Sequence, residues 1–439
     1  MPMARFDAAT RGELGAVFAN IPTAAPSHRI AFDGVSCTVC HQISAENLGT
    51  HESFDGGFEI DRGTPLGARA VYGPHEVDTA HRSVMRSATQ FVPSQATHLQ
   101  RSEVCATCHT LYTTALDERG EVIAQLPEQV PFEEWQHSEY RETRSCQSCH
   151  MPEIGEQTPI TNVLGQPRPR LSQHTFRGGN AFMLGILNKY RGELGVTALP
   201  QELDAAIEDT RRYLGSAAAK LAIESPALRG ATLAFGVRIE NTGGHKLPTA
   251  YPSRRVWLHV RAMDESGAVV FESGAPQPDA SIAGNDNDVD PLRFEPHRSE
   301  ITSRDQVQIY ESIMVDGDGR VTTGLLRGVR YAKDNRLLPH GFDKSTAIPE
   351  VAVHGDAETD SDFVGGGDRV SYRIDLGSAP STAVTIAVEL LYQSIGFRWA
   401  ENLKAYDTPE TQRFVRYYGE SARESAIVLA RAEASVAAR

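Results

Sequence analysis

From about residue 228 the apolar and polar positions alternate. Leu233, Phe235, Val237 and Ile239 interleave with Thr232, Ala234, Gly236, Arg238 and Glu240, the period of a strand with one buried face. Leu258, Val260 and Ala262 repeat the pattern, as do Val370, Tyr372, Ile374 and Leu376, and then Val384, Ile386, Val388 and Leu390. Gly-, Asp- and Pro-rich loops separate these runs without intervening helices, which predicts an antiparallel β-sandwich over 227–400. Ahead of it the period is helical. Phe182, Leu184, Ile186, Leu187 and Tyr190 give a broad apolar side over 178–195, and Leu203, Ile207, Leu214, Ala217 and Leu221 recur at helical steps after Pro200. This predicts a helical hairpin connector over 178–226. Residues 401–439 close the chain, with a helix expected from about 409 to 437. Residues 1–177 show little sustained periodicity and many Gly and Pro, so they form short helices and irregular segments without a large side-chain core. The predicted fold class is α+β, multidomain.

The cysteines explain what that first segment is for. There are six, and each belongs to a Cys-x-x-Cys-His unit: Cys37-Thr-Val-Cys40-His41, Cys105-Ala-Thr-Cys108-His109 and Cys146-Gln-Ser-Cys149-His150. Two thiols at this spacing form thioethers to the two vinyl groups of one porphyrin, and the adjacent imidazole becomes the proximal ligand of its iron. A structural zinc site uses such pairs in twos, a redox dithiol needs no following histidine, and a disulfide framework rarely repeats one tight spacing. The pattern therefore predicts three haem c groups, with His41, His109 and His150 as proximal ligands and residues 1–177 as a trihaem domain packed around them.

A second axial ligand closes an iron and makes it an electron-transfer centre, whereas an iron with one ligand is open to chemistry. Three histidines stand out as distal candidates. His98 precedes the second attachment unit in ATHLQRSEVCATCH. His174 lies in SQHTFRGGNAF, where Gly178 and Gly179 let backbone approach a flat ring. His245 lies in NTGGHKLPTAYP, read as a stiff exposed turn at a strand end. His51 and His137 are reserve candidates, and Met85 is a thioether in a polar segment that reads as packing. His28, His75, His81, His259, His297, His340 and His354 read as non-ligands. Trp135 and Tyr140 in PFEEWQHSEY suit either a porphyrin edge or ordinary aromatic packing.

Net charge and the chain start narrow the setting. The formal charge of −14 argues against a nucleic-acid face, which needs clustered basic residues; it suits solubility and docking to basic partners, and a solvated surface with no particular partner is the commoner reading of such a balance. No apolar run is long enough to span a bilayer. The opening MPMARFDAAT does not read as an export signal, although haem c is attached outside the cytoplasm; the expectation is a periplasmic or extracellular protein whose signal is absent from this chain. Three acidic stretches, GNDNDVD at 284–290, ETDSDFVGGGD at 358–368 and Asp316-Gly317-Asp318-Gly319, are candidate calcium loops that read better as solvated turns.

With these residues in view, the chain resembles multihaem cytochrome c proteins of environmental bacteria, the broad group that includes cytochromes of the hydroxylamine-oxidation pathway. The resemblance rests on GVSCTVCHQI, SEVCATCHTLYT, SCQSCHMP and HTFRGGN, and continues in GHKLPTAYPSRRVWLHV and KDNRLLPHGFDK. It implies distal ligation by His98, His174 and His245. The supply of placed distal histidines favours closed irons, and hence an electron carrier between a redox donor and an acceptor, with subunits in series as an allowed assembly. The chain departs from the catalytic members in having three attachment units and no Cys-x-x-Cys-Lys. The alternative function is an oxidoreductase acting on a small nitrogen or sulfur compound at one five-coordinate haem.

Overall fold

A computed structural model describes residues 2–12 and 34–438; His28 lies outside them. Contacts divide the chain into two units, Met1–Leu111 with Ser145–Gln147, and Tyr112–Arg144 with Ser148–Arg439. The division falls inside the expected 1–177 domain. The reason is that side-chain bonds tie these segments to later residues: Glu134 to Lys246, Tyr331 to Pro127, and Arg177 to Asp209.

The first unit is built from short pieces. Its helices are Pro2–Thr10, Cys37–Cys40, Thr79–Thr89 and Glu103–His109, with one parallel ribbon pairing Ala70–Gly73 to Val92–Gln95. Asp78 starts the third helix by accepting the Ala80 and His81 N–H groups, at 3.0 Å each. Met85 is exposed on that helix. The apolar cluster is small: Val39, Ile43 and Phe58, with Met3, Leu48, Ile60 and Val104 against them.

The second unit contains two large sheets besides two-stranded ribbons. In the first, strands run in the order Glu300–Ile301, Gly367–Asp375, Thr232–Asn241, Ala219–Arg229; in the second, Val321–Thr322, Ile309–Val315, Arg255–Met263, Val384–Gln393, Ala426–Val436. Val269–Ser273 and Arg330–Asp334 add to the second sheet. All pairings are antiparallel except that of Glu300–Ile301. The residues that alternate in the sequence are those that face inward: Leu233, Phe235, Val237, Ile239, Val370, Tyr372, Ile374, Val384, Ile386, Val388 and Leu390 join one buried cluster spanning both sheets. Phe235 and Tyr372 are cross-strand partners whose rings stack at 4.8 Å.

Two boundaries differ from expectation. The expected hairpin over 178–226 forms from Ala181–Lys189 and Pro200–Ala217, but Ala219–Arg229 is already a strand, turned at Gly230 (φ 57°) onto Thr232–Asn241. The closing helix stops at Ser421, and Ala426–Val436 pairs along Val384–Gln393. Both segments are rich in alanine, whose helix propensity is worth only tenths of a kcal/mol per residue. Burying Ile427 and Leu429 in the sheet core outweighs that preference.

Candidate haem centres

Each Cys-x-x-Cys-His unit lies on a single helical turn: Cys37–Cys40 capped by His41, Glu103–His109, and Cys146–His150. Residues at i, i+3 and i+4 share one helix face, so the turn places both thiols and the imidazole on the same side. The start of the third unit is fixed to the segment before the second. The Cys146 N–H donates to Ser102 Oγ at 3.1 Å, and the Gln147 amide donates to the carbonyls of Leu99 (3.0 Å) and Arg101 (2.8 Å). Cys105 donates its S–H toward Cys146, and that bond together with burial holds the Cys105 thiol well above its ordinary range. Burial, with Cys40 nearby, pushes the Cys108 thiol up to about 11. Cys40, Cys105, Cys108 and Cys146 thus stand close enough to influence one another.

The first proximal candidate is oriented by backbone: His41 Nδ1 bonds the Tyr72 carbonyl at 2.6 Å. His150 Nδ1 likewise bonds the Arg177 carbonyl. A carbonyl at Nδ1 fixes the proton there and leaves the Nε2 lone pair for a metal.

The structure brings His245 to His150. Their ring centroids are 6.2 Å apart with 17° between planes. Two imidazoles bound to one iron from opposite faces, each through a bond of about 2 Å, have centroids about 6 Å apart. His245 Nδ1 bonds the Lys246 carbonyl at 3.0 Å, so it too presents Nε2. Burial holds the His245 imidazole below its ordinary pKa and favours the neutral, ligating form. The donor set fits a bis-histidine iron.

The loop carrying His245 is half-buried, not exposed as its sequence suggested: Lys246 is 0% accessible and Pro248 is buried, while His245 itself is partly covered. Asn241 donates to the carbonyls of His245 (2.8 Å) and Leu337 (3.0 Å) and accepts from the Gly243 N–H at 2.9 Å. Leu247 and Leu337 exchange two backbone bonds of 2.9 Å. Glu134 accepts the Lys246 N–H (3.0 Å) and the Thr249 hydroxyl (2.5 Å). Arg336 Nη1 lies 2.8 Å from the other Glu134 oxygen and grips Asp334 with Nε and Nη2. Lys246 Nζ completes the network on Asp334 at 2.8 Å. Burial disfavours charge on Asp334, but Arg336 and Lys246 outweigh it and hold the carboxyl well below the usual carboxylate range. Trp135 and Tyr140 pack against Gly244, where an added Cβ would stand 3.4 Å from each. The sequence reading missed Glu134, Asp334 and Arg336. The available signal was KDNRLLP, charges embedded in an otherwise apolar stretch following a strand.

The other predicted histidines are placed differently. His98 is buried, with its ring edge-on to Tyr72 at 5.2 Å and Nε2 bonded to the Ile43 carbonyl at 2.8 Å, so Nδ1 is the nitrogen it offers. His174 is exposed, edge-on to Phe176. Of the two glycines after it, Gly179 makes room for a side chain: an added Cβ there would lie 2.8 Å from Tyr392 Oη. His51 is exposed beside Phe54, and His137 bonds the Glu133 carbonyl through Nδ1 at 2.9 Å with its ring against Phe342. Among those read as non-ligands, His81, His259 and His340 pair with Asp78, Glu272 and Glu240.

His297 stands with Asp360 and Asp368 in a grouping of metal-ligand type, its Nε2 3.3 Å and 3.8 Å from their oxygens. Its Nδ1, however, faces the side-chain amides of Gln308 (2.8 Å) and Asn335 (3.1 Å). Those amides are oriented because their oxygens accept the N–H groups of Arg298 and Glu311. Nδ1 is thus an acceptor, Nε2 carries the proton, and the cluster is a hydrogen-bonded one. In the 284–290 stretch Asp288 pairs with Arg255, and Asp316 accepts the Asp318 and Arg320 N–H groups of a tight turn.

Among the described residues no helix is long and apolar enough to cross a membrane. No family model and no curated protein matches the chain. Among solved structures the fold is similar to that of a penta-haem cytochrome c552 from Thermochromatium tepidum, with a TM-score of 0.51 and 16% identity over 98% of this chain and 81% of that one. The fold is thus of the multihaem cytochrome c type.

Proposed function

We propose that the chain is a trihaem c-type cytochrome that transfers electrons between redox proteins in the periplasm or outside the cell. The observation that carries this reading is the facing pair His150 and His245, each with Nδ1 committed to a backbone carbonyl, in a chain whose cysteines all belong to attachment units. Bound haem iron supplies a one-electron couple. The chain supplies everything that makes the couple useful. Cys37, Cys40, Cys105, Cys108, Cys146 and Cys149 tether three porphyrins; His41, His109 and His150 are the proximal ligands. His245 is the distal ligand opposite His150, and His98 and His174 are the distal candidates for the remaining irons. The carbonyls of Tyr72, Arg177 and Lys246 hold the Nδ1 protons of His41, His150 and His245, which orients each ring and keeps Nε2 basic.

The test is the low-temperature electron paramagnetic resonance spectrum of the oxidised holoprotein and of His245→Ala. Electron carriage with closed irons predicts only low-spin signals in the parent. The variant should convert one iron in three to high spin, and free imidazole should reverse the change. A stoichiometric high-spin signal in the parent would instead favour the oxidoreductase reading, and an unchanged variant spectrum would remove His245 from the ligand set.

A further inference from the structure

We infer that Glu134 is a positioning residue for the distal ligand, an inference that rests on the proposed ligation by His245. Glu134 is completely buried on the short helix Pro131–Gln136 and reaches the Gly-His-Lys-Leu-Pro-Thr loop from a different part of the chain. One oxygen takes both the Lys246 N–H and the Thr249 hydroxyl, clamping the loop on the C-terminal side of His245. The helix that carries it also delivers Trp135 which, with Tyr140, packs on Gly244 on the N-terminal side. His245 is thereby held between two contacts that originate in Pro131–Tyr140, while Asn241 fixes its carbonyl. A side chain between such anchors has little freedom to swing, so Nε2 is presented toward His150 by protein contacts rather than found by an adaptable loop.

Glu134 also faces Arg336. A role confined to neutralising that cation and a role in placing the loop make opposite predictions for two conservative variants. Glu134→Gln keeps the length and an acceptor oxygen for the Lys246 N–H but discards the charge. Glu134→Asp keeps the charge but withdraws the carboxylate from the loop by one methylene. The measurement is the electron paramagnetic resonance spectrum of the oxidised holoprotein, with haem per chain and the remaining low-spin signals as the check on folding. Positioning predicts that Glu134→Asp loses or shifts the low-spin signal of one iron in three, that free imidazole restores it, and that Glu134→Gln stays close to the parent. Both variants unchanged, or a loss confined to Glu134→Gln, overturns the proposal. Loss in both supports it when imidazole restores the signal and overturns it when imidazole does not. His245→Ala is run alongside. If that variant leaves all irons low-spin the ligand reading fails; if it opens one iron while Glu134→Asp does not, only the positioning role fails.

Discussion

Replacing Asp368 by Asn should stabilise the protein at pH 8 and leave it nearly unchanged at pH 4. Asp368 is 3% exposed at the start of the strand Gly367–Asp375. Its Oδ2 accepts the Tyr310 hydroxyl at 2.7 Å and its Oδ1 accepts the Arg369 N–H at 2.7 Å. The Arg369 guanidinium turns instead to Glu224, and the charges that bear on Asp368 are those of Asp360 and Asp362. Burial, with those two acids, pushes its carboxyl from 3.8 up to about 7. Between these values the folded chain holds a proton that the unfolded chain has released, so stability falls as pH rises, by about 1.4 kcal/mol per pH unit and about 4 kcal/mol in all. The penalty is complete above about pH 7 and absent below pH 4. Asn carries no charge and keeps an oxygen for Tyr310, so the gain of Asp368→Asn over the parent should grow from pH 4 to pH 7 and then level. Urea unfolding of both holoproteins, followed by far-ultraviolet circular dichroism across that range, gives the difference directly. A difference independent of pH, or a variant less stable at pH 8, would refute the account of Asp368 as a buried acid without a counter-charge.

Two further substitutions test packing in the second unit. Arg255→Met strands Asp288, which now has two contacts of 2.8 Å and 3.0 Å to the guanidinium, and should cost about 3–5 kcal/mol in urea unfolding, with much of the loss recovered in the double variant with Asp288→Asn. Gly179→Ala drives a Cβ to 2.8 Å from Tyr392 Oη and should cost about 1–3 kcal/mol. Because that hydroxyl is buried without a hydrogen-bond partner among the described residues, adding Tyr392→Phe should recover most of the loss in thermal unfolding.

The parts of this molecule that were legible in its sequence are those governed by short-range repetition. The Cys-x-x-Cys-His spacing is set by one helical turn, and the sheet residues from Leu233 to Ile239 reveal their buried face through a period of two. The alanine-rich segments Ala219–Arg229 and Ala426–Val436 were misjudged because their conformation is decided by partners elsewhere: Thr232–Asn241 for one, Val384–Gln393 for the other. The same reason hid Glu134. A glutamate in Pro-Phe-Glu-Glu-Trp looks like any solvated helix residue until Lys246, Thr249 and Arg336 are brought to it from later in the chain. His245 was singled out by its glycines and proline, but its partner was not, because nothing local links it to His150. His98 shows the converse: its place before an attachment unit was plain, while the loss of Nε2 to the Ile43 carbonyl depends on a contact that spacing does not encode.

On the proposed reading, in which His245 is an iron ligand, the buried charges around its loop account for how the ring is held in place. Lys246 and Arg336 are opposed by Asp334 and Glu134, two cations and two anions closed in one buried set. Such a set is costly to desolvate, and a well-packed apolar substitute is often no less stable. What the ionic set adds is direction: each hydrogen bond fixes a particular backbone or side-chain atom, which apolar packing around a Gly-Gly-His turn would not. Its charges balance within the set, and of its members Glu134 is the one whose charge bears on the imidazole, in the direction opposite to burial. If His245 is a ligand as proposed, a ring held in this way need not rearrange when its iron changes charge, and a low cost of rearrangement is what electron carriage would require of it. The buried ions are therefore best understood as the mounting of the His245 ring and only secondarily as a source of stability. The contrast between Glu134→Asp and Glu134→Gln separates those two roles.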